Sequence, residues 1–538
     1  MEIISIDQNC HPLWDVPPKL HALAHAGYST HHCIEDIDVA FTAIGAQAGD
    51  DDTHLRVARE RFYRSGAADW GAAIFYFCFL GRQPVEIRQL AQFTGMKTSA
   101  LAGRLGCSVD DLYDRFSPSD NWQLIGPSYF QNRDLHRVIG DLSVSQTSGF
   151  LGEIIDIARD DMLKAFPSDQ SQKRVERWID DQRKLLAELI SADGDGTLVE
   201  LYDRWLGRYV KAPISMGMTS DLLACGRDEA QTALLEVFTC QYETAGELYN
   251  AAITETHQPL RLLDLAAGEL PFFATIARQG RMVRCGVSLL NGGLQIADMH
   301  FDLLNGGRIP VDKLRDAGII ALAGKAMLLV IQVRIGPAGR ALGLPYRGSL
   351  YMPAAVRLAE KLQNAGLLPG QLQPIIRVRL GFMDALKNID TPIRLPNYLQ
   401  GAMNAETVPA HQLGETWRQL ASDAADRLKA FATPQGRIKW REQTQSQRLG
   451  EIADIDQARR ELARTDPKGP EIRNLSKRSK QLGVELLNAD LEQIATDIHT
   501  AELDYWDSRG AILPWSIALG GQEFYDDLIA NAKIYEEA

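Results

Sequence analysis

Apolar residues recur at helical spacing along most of the first 215 positions. Within residues 150–166, the side chains that mark one helical face are Ile154, Ile155, Ala158 and Met162. No repeat of fixed period is visible in this part of the sequence. The pattern therefore predicts a large, mostly helical N-terminal region over residues 1–215.

The pattern changes near residue 260. Short apolar runs then alternate with helical stretches or long connections, and these runs lie at 260–265, 282–290, 326–335 and 375–382. Short apolar strands that alternate with helices are typical of an α/β layer with some parallel pairing. We therefore predict an α/β core over residues 216–400, and we expect a ligand site in it.

A helical pattern returns in the last third of the chain. Residues 411–431 are predicted to form one helix, and Pro467 and Pro470 then force a turn. After the turn, apolar residues are spaced four, three and four positions apart, as in a coiled coil. These residues are Leu487, Leu491, Ile494 and Ile498. We predict a helical hairpin within 401–509 and a return segment over 510–538. The predicted class is an α/β core with a large all-helical N-terminal region and a C-terminal antiparallel helical hairpin, mixed α+β overall.

Composition narrows the class of protein. The 538 residues include 57 basic and 70 acidic side chains, a net charge of -13, which argues against a surface built mainly for nucleic acid. Seven cysteines without a CxxC pair favour a reducing cytoplasm. The start of the chain has no signal-peptide pattern, and no apolar run approaches the roughly 20 residues that span a bilayer. We expect a soluble cytoplasmic protein with no membrane partner.

The first candidate site is the segment 262–273, whose pattern predicts a strand, a tight turn and a helix. Ligands of open α/β sheets bind beyond the carboxyl ends of strands, where a helix N-terminus offers free N–H groups. We expect a ligand near Gly268, with Glu269 or Asp264 as the acid/base group. Asp264 could equally be a buried structural acid, and the whole segment could be a plain turn from strand to helix.

This segment resembles motif I of the class I S-adenosylmethionine-dependent methyltransferases, in which an Asp-x-Gly-x-Gly-x-Gly turn holds the cofactor. Ala266 and Leu270 stand where that family has glycine, and Ser288 stands where an acidic residue would hold the ribose. The Gly268-Glu269 pair near a strand end is also similar to the cysteine-adding ligases of bacillithiol synthesis, which likewise join an α/β core to a helical hairpin. The resemblance covers about 30 residues and assigns no cofactor.

The second candidate site is a face of arginines. Strand alternation places Arg377 and Arg379 on one face of the run 375–380, and Arg334 shares a face with Gln332 in the run 326–335. If these strands are neighbours, their guanidinium groups converge in a geometry that suits a carboxylate or phosphate. The alternative is that the arginines form ion pairs with acidic side chains of the protein.

Two weaker candidates lie elsewhere in the sequence. Near Cys10 and Cys33, six of the eleven histidines fall in the first 54 residues, namely His11, His21, His25, His31, His32 and His54. Their spacing matches no zinc signature, so a polar surface role is the alternative to a metal site. Residues 85–104 are similar to a helix-turn-helix with Gly95 in the turn, and residues 437–480 carry 12 basic against 7 acidic residues.

The favoured function is a cytoplasmic biosynthetic enzyme, a transferase or ligase, that acts on a small anionic metabolite by group transfer or ligation. Arg334, Arg377 and Arg379 would hold the negative charge. The first alternative is a non-catalytic binding or scaffold protein that uses the hairpin and the helix-turn-helix-like pair to bind a partner protein or nucleic acid. The second is a metal-dependent enzyme that uses the N-terminal histidines and cysteines. The hairpin could also join copies of the chain into a homo-oligomer.

Overall fold

The structure is a computed structural model, and it describes residues 2–6, 14–38, 76–116 and 136–537, apart from positions 77, 83, 84, 86, 193, 195, 259, 279, 337, 338, 349, 350 and 467. The strands in these ranges are β1 Glu2–Ile6, β2 Ser29–Ile34, β3 His136–Arg137, β4 Ile214–Met218, β5 Glu269–Arg278, β6 Arg281–Leu290, β7 Gly293–Ile296, β8 Met299–Asp302, β9 Ile319–Gly324, β10 Ala341–Pro345, β11 Ile375–Arg379, β12 Pro392–Arg394, β13 Thr407–Pro409 and β14 Lys533–Glu537.

The helices fall into three groups along the chain. The first group is α1 Val16–His25, α2 Ile87–Thr94, α3 Thr98–Leu105, α4 Val109–Phe116, α5 Val144–Ala165, α6 Asp169–Ala192 and α7 Leu198–Leu206. The second is α8 Thr219–Leu222, α9 Glu229–Cys240, α10 Tyr242–Thr256, α11 Val311–Asp316, α12 Met327–Gln332, α13 Met352–Asn364, α14 Phe382–Ala385 and α15 Asn397–Met403. The third is α16 Ala410–Phe431, α17 Pro434–Thr444, α18 Ser446–Leu462, α19 Pro470–Ala501, α20 Trp506–Arg509 and α21 Ile512–Ala530.

A doubly wound sheet forms the centre of the molecule. Its strand order is β4-β2-β1-β10-β11-β14, in which the first five strands are parallel and β14 is antiparallel. Alternate residues of β1 face opposite cores, because Ile3 packs into the core that contains α1 and Ile4 into the core that contains α13. The connection after β1 therefore runs over one face and the connection after β10 over the other. The point where the winding reverses lies between β1 and β10.

A second, antiparallel sheet is inserted between β4 and β10. Its order is β8-β7-β6-β5-β9, and β3 pairs with the free side of β6. The core below this sheet also contains the helices α9, α10, α12 and α13 and one face of the parallel sheet. The two sheets thus share one apolar core, and the antiparallel sheet lies beside the central strands.

The third part is the helical hairpin with a small helical unit at its root. Helices α18 and α19 run antiparallel and are joined by the ion pair of Glu451 with Arg478. Helices α2, α3 and α4 pack on the root of the hairpin through a shared apolar cluster, and Arg437 of α17 donates to the carbonyl of Phe93. The segment predicted to resemble a helix-turn-helix is therefore docked on the hairpin, with Lys97 and Arg104 exposed.

The predicted mixed α and β class with its helical hairpin is confirmed. The N-terminal 215 residues nevertheless contribute β1, β2 and part of β4 to the parallel sheet. Residues 326–335, predicted to be a strand, form the short helix α12, because a short apolar run that is buried on all sides has no periodicity that separates strand from helix. Among the helices in the described ranges, none combines the length and the hydropathy needed to cross a bilayer.

Candidate functional site

A shallow cleft opens at the point where the winding of the parallel sheet reverses. It is lined by the carboxyl ends of β1 and β10, by the start of α1, by apolar residues of α12 and by the last residues of α20. Open α/β sheets bind their ligands in this position, because the connections diverge there and leave a crevice. We call it the switch-point cleft.

The first turn of α1 supplies one wall of the switch-point cleft. Asp15 precedes the helix, and Pro17 and Pro18 occupy the first turn, where a missing N–H removes no helical hydrogen bond. One turn later, Lys19 lines the cleft although its side chain is only 5% exposed. Lys19 therefore adds a buried cationic side chain to a wall that also carries the carboxylate of Asp15.

The C-terminal segment 506–510 forms the opposite wall. The carboxylate of Asp507 accepts hydrogen bonds from the backbone N–H groups of Leu380 and Phe382, at 3.0 and 2.7 Å, and thereby fixes the chain after β11. The Ser508 hydroxyl accepts the N–H of Arg347 after β10, at 2.9 Å. Arg509 then reaches the cleft. The segment that follows the hairpin therefore completes the cleft, a contribution that the sequence patterns do not indicate.

Burial perturbs the titration of Asp507. Its carboxyl lies almost entirely out of solvent, and this desolvation raises its pKa from 3.8 to about 6, while the two backbone N–H groups and Arg379 act in the opposite direction. A carboxyl group that changes charge near neutral pH thus holds the backbone at the carboxyl edge of the parallel sheet.

An acidic segment follows β2 on the same edge of the sheet, one strand away from β1. Burial, together with Asp38 and Asp36, raises the pKa of Glu35 well above its usual range. Asp36 accepts the N–H of Ser220 at 2.8 Å, which ties the exits of β2 and β4 together. Asp38 pairs with Arg284 of β6 at 2.6 Å. The edge therefore carries a buried carboxyl group that holds its proton more strongly than a solvated one.

Glu269, a predicted acid/base group, lies in a buried ion-pair network at the start of β5. Its carboxylate is 2.7 Å from the ammonium of Lys325 and 3.1 Å from a guanidinium nitrogen of Arg261. Burial lowers the pKa of Lys325, and Glu269 opposes that shift. Lys325 and Arg284 both lie over the ring of Phe273, at 4.9 and 3.9 Å from its centroid. Lys325 lies two residues before α12, whose apolar residues line one wall of the switch-point cleft.

The turn around Gly268 differs from the predicted strand, turn and helix. Residues 260–267 are a loop, and strand β5 follows the glycine. Gly268 has a φ of 73°, and a Cβ atom there would lie 2.3 Å from the carbonyl oxygen of Leu289, so the glycine permits close pairing with β6. Asp264 is exposed and accepts the N–H of Ala267 at 3.0 Å, so it is not a buried structural acid. Because no helix follows the turn, the geometry of the methyltransferase motif is absent here.

The predicted arginines lie close together but have partners within the protein. Arg377 and Arg379 share a face of β11, as alternation predicts. Arg377 pairs with Glu537 of β14 and donates to the carbonyl oxygens of Pro345 and Gly348, which line the switch-point cleft. Arg377 therefore holds the backbone of Pro345 and Gly348 in place at the rim of the cleft, without lining the cleft itself.

The other two arginines are also engaged. Arg379 stacks on the ring of Tyr346, with 4.4 Å between the guanidinium carbon and the ring centroid. Arg334 follows α12 instead of lying in a strand, and its Nε donates to the carbonyl of Gln373 at 2.6 Å. Burial lowers the pKa of Arg334 to about 10.

Three of the N-terminal histidines that the structure describes have separate polar partners, and His25 is exposed. His21 contacts the Tyr525 hydroxyl and the Tyr209 carbonyl, while His31 contacts Ser215 and His32 contacts Ser5. Within the described ranges, no three His, Cys, Asp or Glu side chains come together as metal ligands. Cys10, His11 and His54 lie outside the described residues.

Sequence reasoning missed Lys19, Glu35, Asp507 and Arg509. One local signal was available, because Asp15-Val16-Pro17-Pro18 marks a helix start shortly after an apolar run. The others depend on contacts between distant parts of the chain. Comparison with known proteins finds no matching protein family, no matching curated protein and no matching solved structure.

Proposed function

We propose that this protein is an enzyme of small-molecule metabolism that binds an anionic substrate in the switch-point cleft and acts on it by group transfer or ligation. The observation that carries the proposal is the cleft between β1 and β10 with the buried Lys19 in its wall. The absence of glycine between Ile6 and Val16 argues against the pyrophosphate turn of dinucleotide-binding proteins.

The chemistry of the lining supports an anionic substrate with an apolar part. Lys19 and Arg509 present positive charge, Asp15 and Ser508 present hydrogen-bonding oxygens, and α12 presents an apolar wall. For proton transfer, the candidate is Glu35, a buried carboxyl group that follows β2 at the carboxyl edge of the parallel sheet. A carboxyl group with a raised pKa is suited to donate a proton to a leaving group.

A binding screen tests the first half of the proposal. The full-length protein is heated in the presence of phosphate, pyrophosphate, citrate, malate or glutamate, and its unfolding temperature is recorded. A ligand at 100 times its Kd stabilises its site by about 2.7 kcal/mol, so at least one anion should raise the unfolding temperature. The effect should disappear in Lys19→Met and Arg509→Met, and it should persist in Lys429→Met, which changes an exposed lysine of α16.

A substitution of Glu35 tests the proposed proton transfer, with the ligand that this screen identifies used as the substrate. Glu35→Gln keeps an acceptor for the N–H of Ile37 but cannot donate a carboxyl proton. We expect it to retain the affinity for the ligand and to lose about 100-fold or more in turnover. Equal anion binding by the wild-type protein and by both cleft variants would refute the proposal.

A further inference from the structure

The outer end of the helical hairpin is basic in an otherwise acidic chain. Residues 459–480 include eight basic and three acidic side chains, although the whole protein has a net charge of -13. This segment comprises the end of α18, the turn and the first three turns of α19. We call it the hairpin tip. A local concentration of positive charge on an acidic protein favours a polyanionic partner for that part of the surface.

Three basic side chains of the hairpin tip form one row along α19. Arg473, Lys477 and Lys480 are spaced four and three residues apart, which places them on one face of the helix. All three are exposed, whereas Leu482 on the other face of α19 is fully buried. With a rise of about 1.5 Å per residue, the row extends about 10 Å along the helix axis. The row therefore faces solvent and not α18.

The positive charge of this row is not used within the hairpin. Arg473 donates to the carbonyl of Lys468 at 2.9 Å, and among the described residues no carboxylate forms an ion pair with any member of the row. Residues 472–484 contain no acidic side chain. In contrast, Arg478 on the side towards α18 pairs with Glu451 at 2.7 Å. The cation that joins the two helices is thus paired, and the cations of the row are open to a ligand.

Two further cations lie on the outer face of α18, and another lies in the turn. Arg460 and Arg464 are four residues apart and exposed, on the side of α18 away from the buried Ile455. Lys468 is exposed in the turn. In the part of the chain that the structure describes, these three side chains form no ion pair either. Positive charge therefore surrounds the hairpin tip on both outer faces and at its end.

The other side chains of the hairpin tip separate the classes of polyanion. Residues 446–480 contain no Phe, Trp, Tyr or His, so no ring can stack on unpaired bases. None of the described Leu, Ile, Val or Met side chains in this segment is exposed, so it offers no apolar surface to a lipid bilayer or to the core of a protein interface. Charge in a regular row suits the phosphates of a double-stranded nucleic acid.

From these observations we propose that the hairpin tip binds double-stranded nucleic acid through its phosphates, independently of base sequence, with Arg473, Lys477 and Lys480 as the principal contacts. Lysine and arginine side chains that neutralise phosphates release counterions, and this release drives the binding. The chemistry recognised is the phosphodiester backbone, which duplex DNA and duplex RNA share. The proposal uses no residue of the switch-point cleft, so it stands or fails separately from the proposed function.

Fluorescence anisotropy of the full-length protein with a short labelled duplex of DNA, and separately of RNA, tests the proposal. We expect saturable binding at about 50 mM salt. Three phosphate contacts give a slope of about -2.7 in log K against log salt concentration, so the affinity should fall about 40-fold between about 50 and 200 mM salt. Either duplex supports the proposal, and the one that binds more tightly identifies DNA or RNA as the partner.

Removal of the row tests which residues make the contact. The triple variant Arg473→Gln/Lys477→Gln/Lys480→Gln keeps residues that favour a helix at exposed positions. It should bind the duplex at least about tenfold more weakly than the wild-type protein at about 50 mM salt, with a flatter salt dependence. Circular dichroism of the variant should match that of the wild-type protein.

A matched triple variant controls for the loss of charge itself. Lys173→Gln/Arg177→Gln/Lys184→Gln removes the same charge from exposed positions of α6, where acidic residues are interspersed, and it should keep the wild-type affinity. The proposal is overturned if neither duplex binds up to about 100 µM protein at about 50 mM salt, or if both triple variants lose affinity equally. Tighter binding of a single strand than of the duplex would also overturn it, as would binding to phosphatidylserine vesicles through the row without duplex binding.

Discussion

At the scale of single residues, Asp507 gives the protein a dependence of stability on pH. Its folded-state pKa of about 6 exceeds the ordinary value of 3.8, so between these values the folded state holds the proton more tightly than the unfolded state. The contribution of this group to stability is therefore greatest below pH 4 and is lost as the pH rises through 6. The loss amounts to about 3 kcal/mol for a shift of this size.

The Asp507→Asn variant tests this directly. Its stability should rise relative to that of the wild-type protein by up to about 3 kcal/mol between pH 4 and pH 7, because the desolvated charge is gone. Urea unfolding of both proteins at the two pH values measures the change, and the other carboxyl groups cancel in the comparison. A stability difference that is the same at pH 4 and pH 7 would contradict the assignment.

Arg377 shows how a residue can belong to a site without contacting the ligand. Its guanidinium spans Glu537 and the carbonyls of Pro345 and Gly348, which a lysine ammonium cannot do with the same geometry. Arg377→Lys should cost about 1–3 kcal/mol of stability and weaken anion binding in the switch-point cleft. Arg379 is partly exposed and lies two residues further along β11. Arg379→Lys should therefore change the stability and the anion affinity much less. Thermal unfolding and titration of the two variants measure the contrast, and equal effects would argue against a positioning role.

The sequence could predict residue faces better than residue roles. Alternation correctly placed Arg377 and Arg379 together on β11, but their partners come from β10 and β14, which no local pattern specifies. Gly268 was predicted to lie at a ligand site. In the structure it permits a close approach to β6, a tertiary contact that no local pattern specifies.

At the scale of elements, an ion pair whose carboxylate is buried fastens the hairpin to the body. Asp497 of α19 is fully buried and pairs with Arg427 of α16 at 2.8 Å. Removing one partner strands a buried charge, so Arg427→Met should cost about 3–5 kcal/mol, and the double variant Arg427→Met/Asp497→Leu should recover most of that loss. Arg478→Met, at the exposed pair with Glu451, should cost less than about 1 kcal/mol. Chemical unfolding of the wild-type protein and the three variants measures these free energies of unfolding. If the double variant does not recover the stability lost in Arg427→Met, the proposed role of the ion pair is wrong.

Elements with local signals were predictable, and elements that depend on distant pairing were not. Helix α16 and strand β6 match their predicted segments closely, because their apolar periodicity is clear. Strand β1 has only five residues, and its pairing of Ile3 with Ala341 joins parts of the chain that are far apart in sequence. The loop 260–265 was mistaken for a strand although the side chain of Asn250 satisfies its backbone at Leu263.

At the scale of the whole molecule, the outer part of the hairpin is separable from the proposed chemistry. Helix α17 buries none of its residues and α18 buries only Ile455. Replacing residues 452–477 by a short Gly-Ser turn should leave the helical content of the body and the affinity of the switch-point cleft unchanged. Circular dichroism and anion titration check this expectation. Loss of anion affinity in a folded protein would instead favour the hairpin as the functional arm, as the scaffold hypothesis holds.

Native mass spectrometry of the purified full-length protein, compared with its denatured mass, tests the central claim most directly. We predict a non-covalent anionic adduct of small-molecule mass on the wild-type protein and on Lys429→Met, and its loss from Lys19→Met. Two results would contradict the account: a wild-type protein that carries no adduct even after incubation with the anion panel, or an adduct that persists in Lys19→Met.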